Sequence, residues 1–487
     1  MKRLFFYIAL FTAAMLTACS DDDSFTTNPS ARLTFSQDTV SLDTVFSTVP
    51  TSTHTFWIYN NNGDGLRLRQ VRLQRGNQSG FRVNVDGSFL DNTTGSSVSD
   101  LEIRKGDSIR VFVELTSGLT NSDLPQLVED NIVFCLESGV EQKVNLRAYS
   151  WDAEIYDSLR ISEDATISSH RPIIIRKGLR VDNNVTLTLN APTRLFFHSG
   201  AGVDVYGRLI VNSSPETAGD VVFRGDRMDN MFDYLPYDRV SGQWRGIHLF
   251  PSSTGNKFYR ADIHSAEYGI ICDAADEYIP DDMRLTMENV TIHNCKGPGL
   301  KAVNSNVSLI NCQFSNTLGD CVGIYGGSAL MVYCTLAQFY PFSGDRGVAL
   351  RFTNYYEDQD YPLHLLDCRN TLVTGYADDE VMGETRKEDV KFGYIFSDCI
   401  LRTPEDNSDT SSEAFVNILW EKPDMEVQGE AHFRSVDADR QYYDFHLAPK
   451  SPAVGRASVI PEIPYDRDMN VRGDKPDVGC YQYDSDE

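Results

Sequence analysis

The 487 residues contain no CxxC pair, no cysteine–histidine alternation at zinc-finger spacing and no haem-attachment signature, so the ten cysteines form none of the familiar metal or redox motifs. Basic residues are scarce beside acidic ones, 44 Lys and Arg against 70 Asp and Glu, which gives a formal charge of −26. A body this acidic is repelled by phosphate backbones, so nucleic acid is excluded as the expected partner. The apolar run from Leu4 to Leu16 is too short and too early for a membrane-spanning helix. What is present is ample core material, 41% hydrophobic residues, in a chain too long for one ordinary compact domain.

The apolar run follows Lys2 and Arg3 and ends in Leu16-Thr17-Ala18-Cys19, the order of charge, apolar core and small residues that export machinery reads. Because it ends on cysteine, it resembles the lipobox of bacterial lipoproteins. The resemblance implies a signal peptide over 1–18 and lipidation of Cys19. Ser20-Asp21-Asp22-Asp23 is similar to the acidic signal that sends lipoproteins of some Gram-negative bacteria to the cell surface; the alternative is a solvated acidic linker, 19–29. The expected location is the outer membrane, lipid-anchored and surface-exposed, with the bilayer as a partner through the acylated N-terminus.

Residues 30–150 read as short alternating runs separated by turns such as Asn62-Gly63-Asp64-Gly65. Ile109, Val111, Val113 and Leu115 share one face, the two-residue period of a half-buried strand. About nine such runs without a helical stretch predict an immunoglobulin-like β-sandwich, similar to modules of large bacterial surface proteins. Trp57 is expected to pack in this sandwich, with glycan stacking as the alternative.

Residues 151–412 carry an internal repeat. One template (apolar, any, apolar, any, Asn or Asp, small, any, apolar) fits Leu285 to Ile292, Val307 to Phe314, Ala329 to Leu336, Leu366 to Val373 and Tyr394 to Leu401, and more weakly Asn256 to Ile263. A period near 22 residues is one turn of a parallel β-helix. The fifth position (Asn289, Asn311, Asn370, Asp398) predicts a ladder of amides hydrogen-bonded up the stack. The sixth holds Cys312, Cys334 and Cys399 among Ala261, Val290 and Thr371, which makes them small buried apolar residues with reduced thiols. The stretch from Leu195-Phe196-Phe197 to Gln243-Trp244-Arg245-Gly246-Ile247 resembles the opening of right-handed β-helix proteins of bacterial cell surfaces, the pectin-lyase-like class. Phe445 to Ala453 and Pro476 to Tyr481 resemble its closing segment, so 413–487 is expected to cap the helix. The fold class is therefore all-β, a sandwich followed by a right-handed parallel β-helix solenoid.

Function is less legible. Pectinase-like hydrolysis needs clustered carboxylates, and the Gly-His-Gly and Arg-x-Lys tripeptides of that family do not occur; Asp273 and Asp276 are the nearest acidic pair. Lys301, Arg346 and Arg351 lie near rung corners, where a lyase needs a cation beside the uronate carboxyl, but exposed bases occur on any solenoid. The acidic loops 357–360 and 378–380 match no calcium-binding pattern and read as solvated insertions. His264 and His293 fall at equivalent positions one rung apart; without a third ligand they read as a surface pair, and no metal or cofactor is assigned. The loop from Asp226 to Trp244 offers Tyr234, Tyr237 and Trp244 either for stacking on sugar rings or for plugging the side of the helix. The leading expectation is a non-enzymatic display module that binds an extracellular polysaccharide or a surface protein. The alternative is a polysaccharide lyase or glycoside hydrolase acting on the β-helix face.

Overall fold

The computed structural model describes residues 24–275, 278–405 and 413–484. Cys19 and Asp276 lie outside the described residues. The chain divides into two units, Met1–Asp152 and Ala153–Glu487. Regular structure among the described residues is strand, with a few short 3-10 turns and no α-helix.

The first unit is a sandwich of two five-stranded sheets. Alternation along Ser108–Leu115 turns Ile109, Val111, Val113 and Leu115 inward, where they share a core with Phe56 and Ile58 and with Leu68, Phe134 and Leu146 of the other sheet. Trp57 lies between the inward Phe56 and Ile58 and therefore points out. It is 41% exposed, with the Arg110 guanidinium 5.5 Å from its ring centre, so the expectation that it packs in the core is corrected by the pleat.

The second unit contains a 26-stranded, almost wholly parallel sheet coiled into rungs. One inward column runs unbroken through Leu179, Val203, Ile247, Ile270, Leu300, Val322 and Leu350, each paired in register with the next. The repeat template is also in register: Asn256, Leu285, Val307, Ala329, Leu366 and Tyr394 pair in succession. A single column of this kind buries a continuous core that no rung could bury alone.

The fifth template position has a different physical origin from the expected ladder. Arg260, Asn289, Asn311, Tyr333, Asn370 and Asp398 all adopt left-handed backbone, with φ between 49° and 57°. Asparagine and aspartate tolerate that conformation best among residues with a side chain. Amide stacking is only partial: Asn311 donates to Asn289 at 3.1 Å, whereas Asn370 bonds the backbone of Ser458. All nine cysteines of the described residues are buried and unbridged, Cys312, Cys334 and Cys399 among them.

The segment 413–487, expected as a cap, first extends the solenoid and then returns along its flank. Phe415–Val416 and Leu419–Trp420 still add to the solenoid sheet. The chain then turns back along one flank, where Phe433, Phe445, Val478 and Tyr481 pack on Ala337, Leu372 and Ile400. Arg467 reaches Asp220 at 2.7 Å, and Tyr481 donates to Gln313 at 2.8 Å. This returning strap and the rungs beneath it enclose a cleft.

Candidate functional site

The cleft begins with strand geometry. Residues two apart on a strand share a face, so Asp262 and His264 both point outward from Asn256–His264 while Ile263 fills the core. Parallel register sets Thr291 and His293 above them on the next rung, then Gln313 and Ser315. The two imidazoles stack with centres 4.8 Å apart, the spacing of adjacent strands. The loop 237–239 supplies Asp238 and Arg239 on one side, and the strap supplies Gln441, Tyr442 and Tyr443 on the other. Together they enclose about 320 Å³.

His264 is 6% exposed and placed between two carboxylates: Nδ1 lies 3.0 Å from Asp262 and Nε2 2.9 Å from Asp238. Asp262 also meets His293 Nε2 at 3.2 Å, and Arg224 holds Asp238 at 2.7 Å. Burial opposes charging of His264, yet the Asp262 charge and the hydrogen bonds to both carboxylates outweigh it and push its pKa up to about 9. Burial likewise raises Asp238, but the His264 hydrogen bond and charge, with Arg224, hold it at about 2. Asp262 is held well below the usual carboxylate range by His264 and His293 against its own burial. At neutral pH His264 is an imidazolium donating from both nitrogens.

This arrangement sets a pH dependence. His264 in the folded chain lies above the ordinary imidazole value of 6.5, so its stabilisation is complete below pH 6.5 and is lost as pH rises through about 9. The expected loss is ~3 kcal/mol, the free energy that separates a pKa of about 9 from the ordinary 6.5. The thermal midpoint of the solenoid should fall between those pH values, and His264→Gln should flatten the fall. A wild-type midpoint that stays level across this window would contradict an imidazolium at this position.

The cleft accounts for some residues singled out from sequence and not for others. His264 and His293 are stacked as the register requires, but they are not a surface pair, and Asp262 is the third group that sequence reading lacked. Trp244 is corrected outright: it is fully buried, stacked on Phe197 at 4.5 Å, and donates Nε1–H to the His264 carbonyl, so it cannot meet a sugar. Of the two loop readings it takes the plug. Tyr234 is exposed and stacked on Phe232, and the Tyr237 ring lies beneath the Arg227 guanidinium. Neither lines the cleft, although Tyr237 opens the short 3-10 turn whose next residues, Asp238 and Arg239, do.

The lyase candidates are engaged elsewhere. Arg351 is held by Asp320 at 2.8 Å and Glu384 at 3.6 Å, and Lys301 donates to the Tyr356 hydroxyl at 3.1 Å. The Arg346 guanidinium lies 5.1 Å from the Tyr376 ring centre. Asp273 accepts from His248 at 2.7 Å rather than facing a second carboxylate among the described residues.

Three atoms of the cleft lining, Gln441 Nε2, Asn316 Oδ1 and the Tyr443 hydroxyl, are buried without a hydrogen-bond partner among the described residues. Sequence gave no sign of them, because Gln441 and Tyr443 reach the site through the strap. Asp262 was findable as an acid two residues before a histidine whose counterpart one rung on is also histidine.

No curated protein matches this sequence. Among solved structures, a family 123 glycoside hydrolase from Clostridium perfringens, studied for glycolipid glycan hydrolysis, is similar with 6% identity over 24% of this chain and 25% of its own, TM-score 0.17. The Agl-KA catalytic domain is similar with 12% identity over 76% and 80% of the two chains, TM-score 0.16. This chain thus spans a quarter of the glycoside hydrolase's length. Residues 175–339 match the family described as the right handed beta helix region, which gives the hand of the solenoid coil.

Proposed function

We propose that this protein is a lipid-anchored, surface-exposed binder of a hydroxyl-rich extracellular glycan, taken up in the cleft beside His264. The observation that carries the reading is the trio of Gln441 Nε2 and the Tyr443 hydroxyl on the strap and Asn316 Oδ1 on the rung strand Gln313–Thr317, all in the cleft lining and without a partner among the described residues. Each buried polar atom left unmatched costs ~1–3 kcal/mol, so a ligand that offers both donors and acceptors is favoured there. Sugar hydroxyls do both. Tyr442, half exposed at the rim beneath the Arg239 guanidinium, adds an aromatic face of the kind that stacks on a pyranose ring.

The enzymatic alternative is separated by turnover. The mature chain is incubated with a panel of neutral and uronate polysaccharides, and binding and chain length are followed together. Binding without shortened or unsaturated products is the expected result. Product release that is lost in Asp262→Asn would replace the binding reading with a lyase or hydrolase one.

A further inference from the structure

We infer that Asp262, His264 and His293 form a binding site for a divalent first-row transition ion of the zinc class. One ligand atom from each residue lies within 4.8 Å of the others. Asp262 Oδ1 is 3.0 Å from His264 Nδ1 and 3.2 Å from His293 Nε2. Ligands on a tetrahedral ion with bonds of about 2.0–2.1 Å sit roughly 3.3 Å apart, so both carboxylate–imidazole separations already suit one ion, and the two imidazole nitrogens, within 4.8 Å of each other, draw together on binding it. It takes the place of the proton that His264 Nδ1 otherwise donates to Asp262.

The surroundings supply an independent observation. A metal-bound histidine almost always donates its other ring N–H to a carboxylate, which fixes the tautomer and strengthens the ligand. His264 Nε2 faces Asp238 at 2.9 Å, and Arg224 in turn fixes Asp238 at 2.7 Å. That outer pair is already in place on residues that belong to a different segment from the three ligands. Parallel register explains the inner set: two histidines at one position on successive rungs present nitrogens to a single point, and the carboxylate comes from the same strand face.

Donor chemistry chooses the ion. Two imidazoles with one carboxylate suit zinc and its first-row neighbours, whereas calcium and magnesium need a shell of oxygens. Three protein ligands leave a fourth position, and the group lines the cleft, so that position is open to a bound oxygen ligand.

The test uses the full mature chain, stripped by chelator and titrated with Zn²⁺ in excess Mg²⁺, which suppresses loose binding to an acidic surface. One equivalent should bind, and Co²⁺ in its place should give the intense visible absorption of a four-coordinate site. Asp262→Asn and His293→Ala should each weaken binding by at least ~100-fold, and Asp238→Asn by ~10–100-fold. His198→Ala, at an exposed histidine, should leave the titration unchanged. The Co²⁺ spectrum reads the ligand set in the unsubstituted chain, so a variant that fails to fold does not blunt the test. Absence of a saturable equivalent, or a Co²⁺ spectrum no different from the aquo ion, would overturn the site. No sugar is present, so this outcome and the glycan outcome stand or fall separately.

Discussion

Glu421→Ala is expected to destabilise the solenoid unit by ~3–5 kcal/mol, the loss typical of breaking a buried ion pair by removing one partner. Glu421 is 1% exposed and occupies the turn after the last rung strand, Leu419–Trp420. One carboxylate oxygen accepts from Arg402 at 2.6 Å, Thr374 at 3.0 Å and the Gly429 backbone at 2.7 Å; the other accepts from His432 at 2.9 Å. Burial opposes its charge, and the His432 hydrogen bond and charge, followed by Arg402, lower its pKa all the same. Truncation leaves the buried His432 without its anion, and Arg402 with the exposed Asp378 at 3.4 Å, at the point where the chain reverses onto the flank. Urea unfolding should show the loss, and hydrogen exchange should rise over 429–447 first. Lys422→Ala, which removes an exposed pair with Glu405, is expected to change stability by less than 1 kcal/mol. A Glu421→Ala change as small as that of Lys422→Ala would show that the cluster does not hold the strap.

Cys19→Ser is expected to move the protein from the membrane to the soluble fraction almost completely. The proposed anchor is the acyl chains alone, each buried methylene contributing ~0.8 kcal/mol, with more than one chain needed for stable residence. No helix of the described residues is long and apolar enough to cross a bilayer. Nor can surface charge substitute, because a chain of formal charge −26 is repelled by anionic lipid. Fractionation of cells that express both forms reads the difference. Continued membrane association of Cys19→Ser would place the anchor somewhere else.

The solenoid was legible because its constraints repeat. A residue that must turn inward at every rung leaves a column, and a corner with φ near +50° leaves asparagine or aspartate, so the template and the observed register coincide. The exceptions are informative: Tyr333 and Arg260 adopt the same strained corner, and Tyr333 is compensated by bonding the Ser458 carbonyl at 2.7 Å and lying beneath Arg472. The site was legible only in part. The pairing of His264 with His293 follows from the repeat, whereas Asp238 comes from a loop and Gln441, Tyr442 and Tyr443 from the strap, whose docking on distant rungs has no periodic signature. Trp244 shows the limit from the other side. An aromatic at the end of an irregular loop reads the same whether it faces solvent or plugs the core, and only packing against Phe197 decides.

The cleft beside His264 is the proposed place of glycan uptake. Calorimetric titration of the protein with the oligosaccharide found in the binding panel, repeated with Tyr442→Ala and Gln441→Ala, tests this. Tyr442 is a rim residue, so its truncation leaves the fold intact, and affinity is expected to fall ~10-fold or more in each variant, as lost stacking or an unmatched polar contact of ~1–3 kcal/mol implies. Undiminished affinity in both variants would place the glycan elsewhere on the molecule.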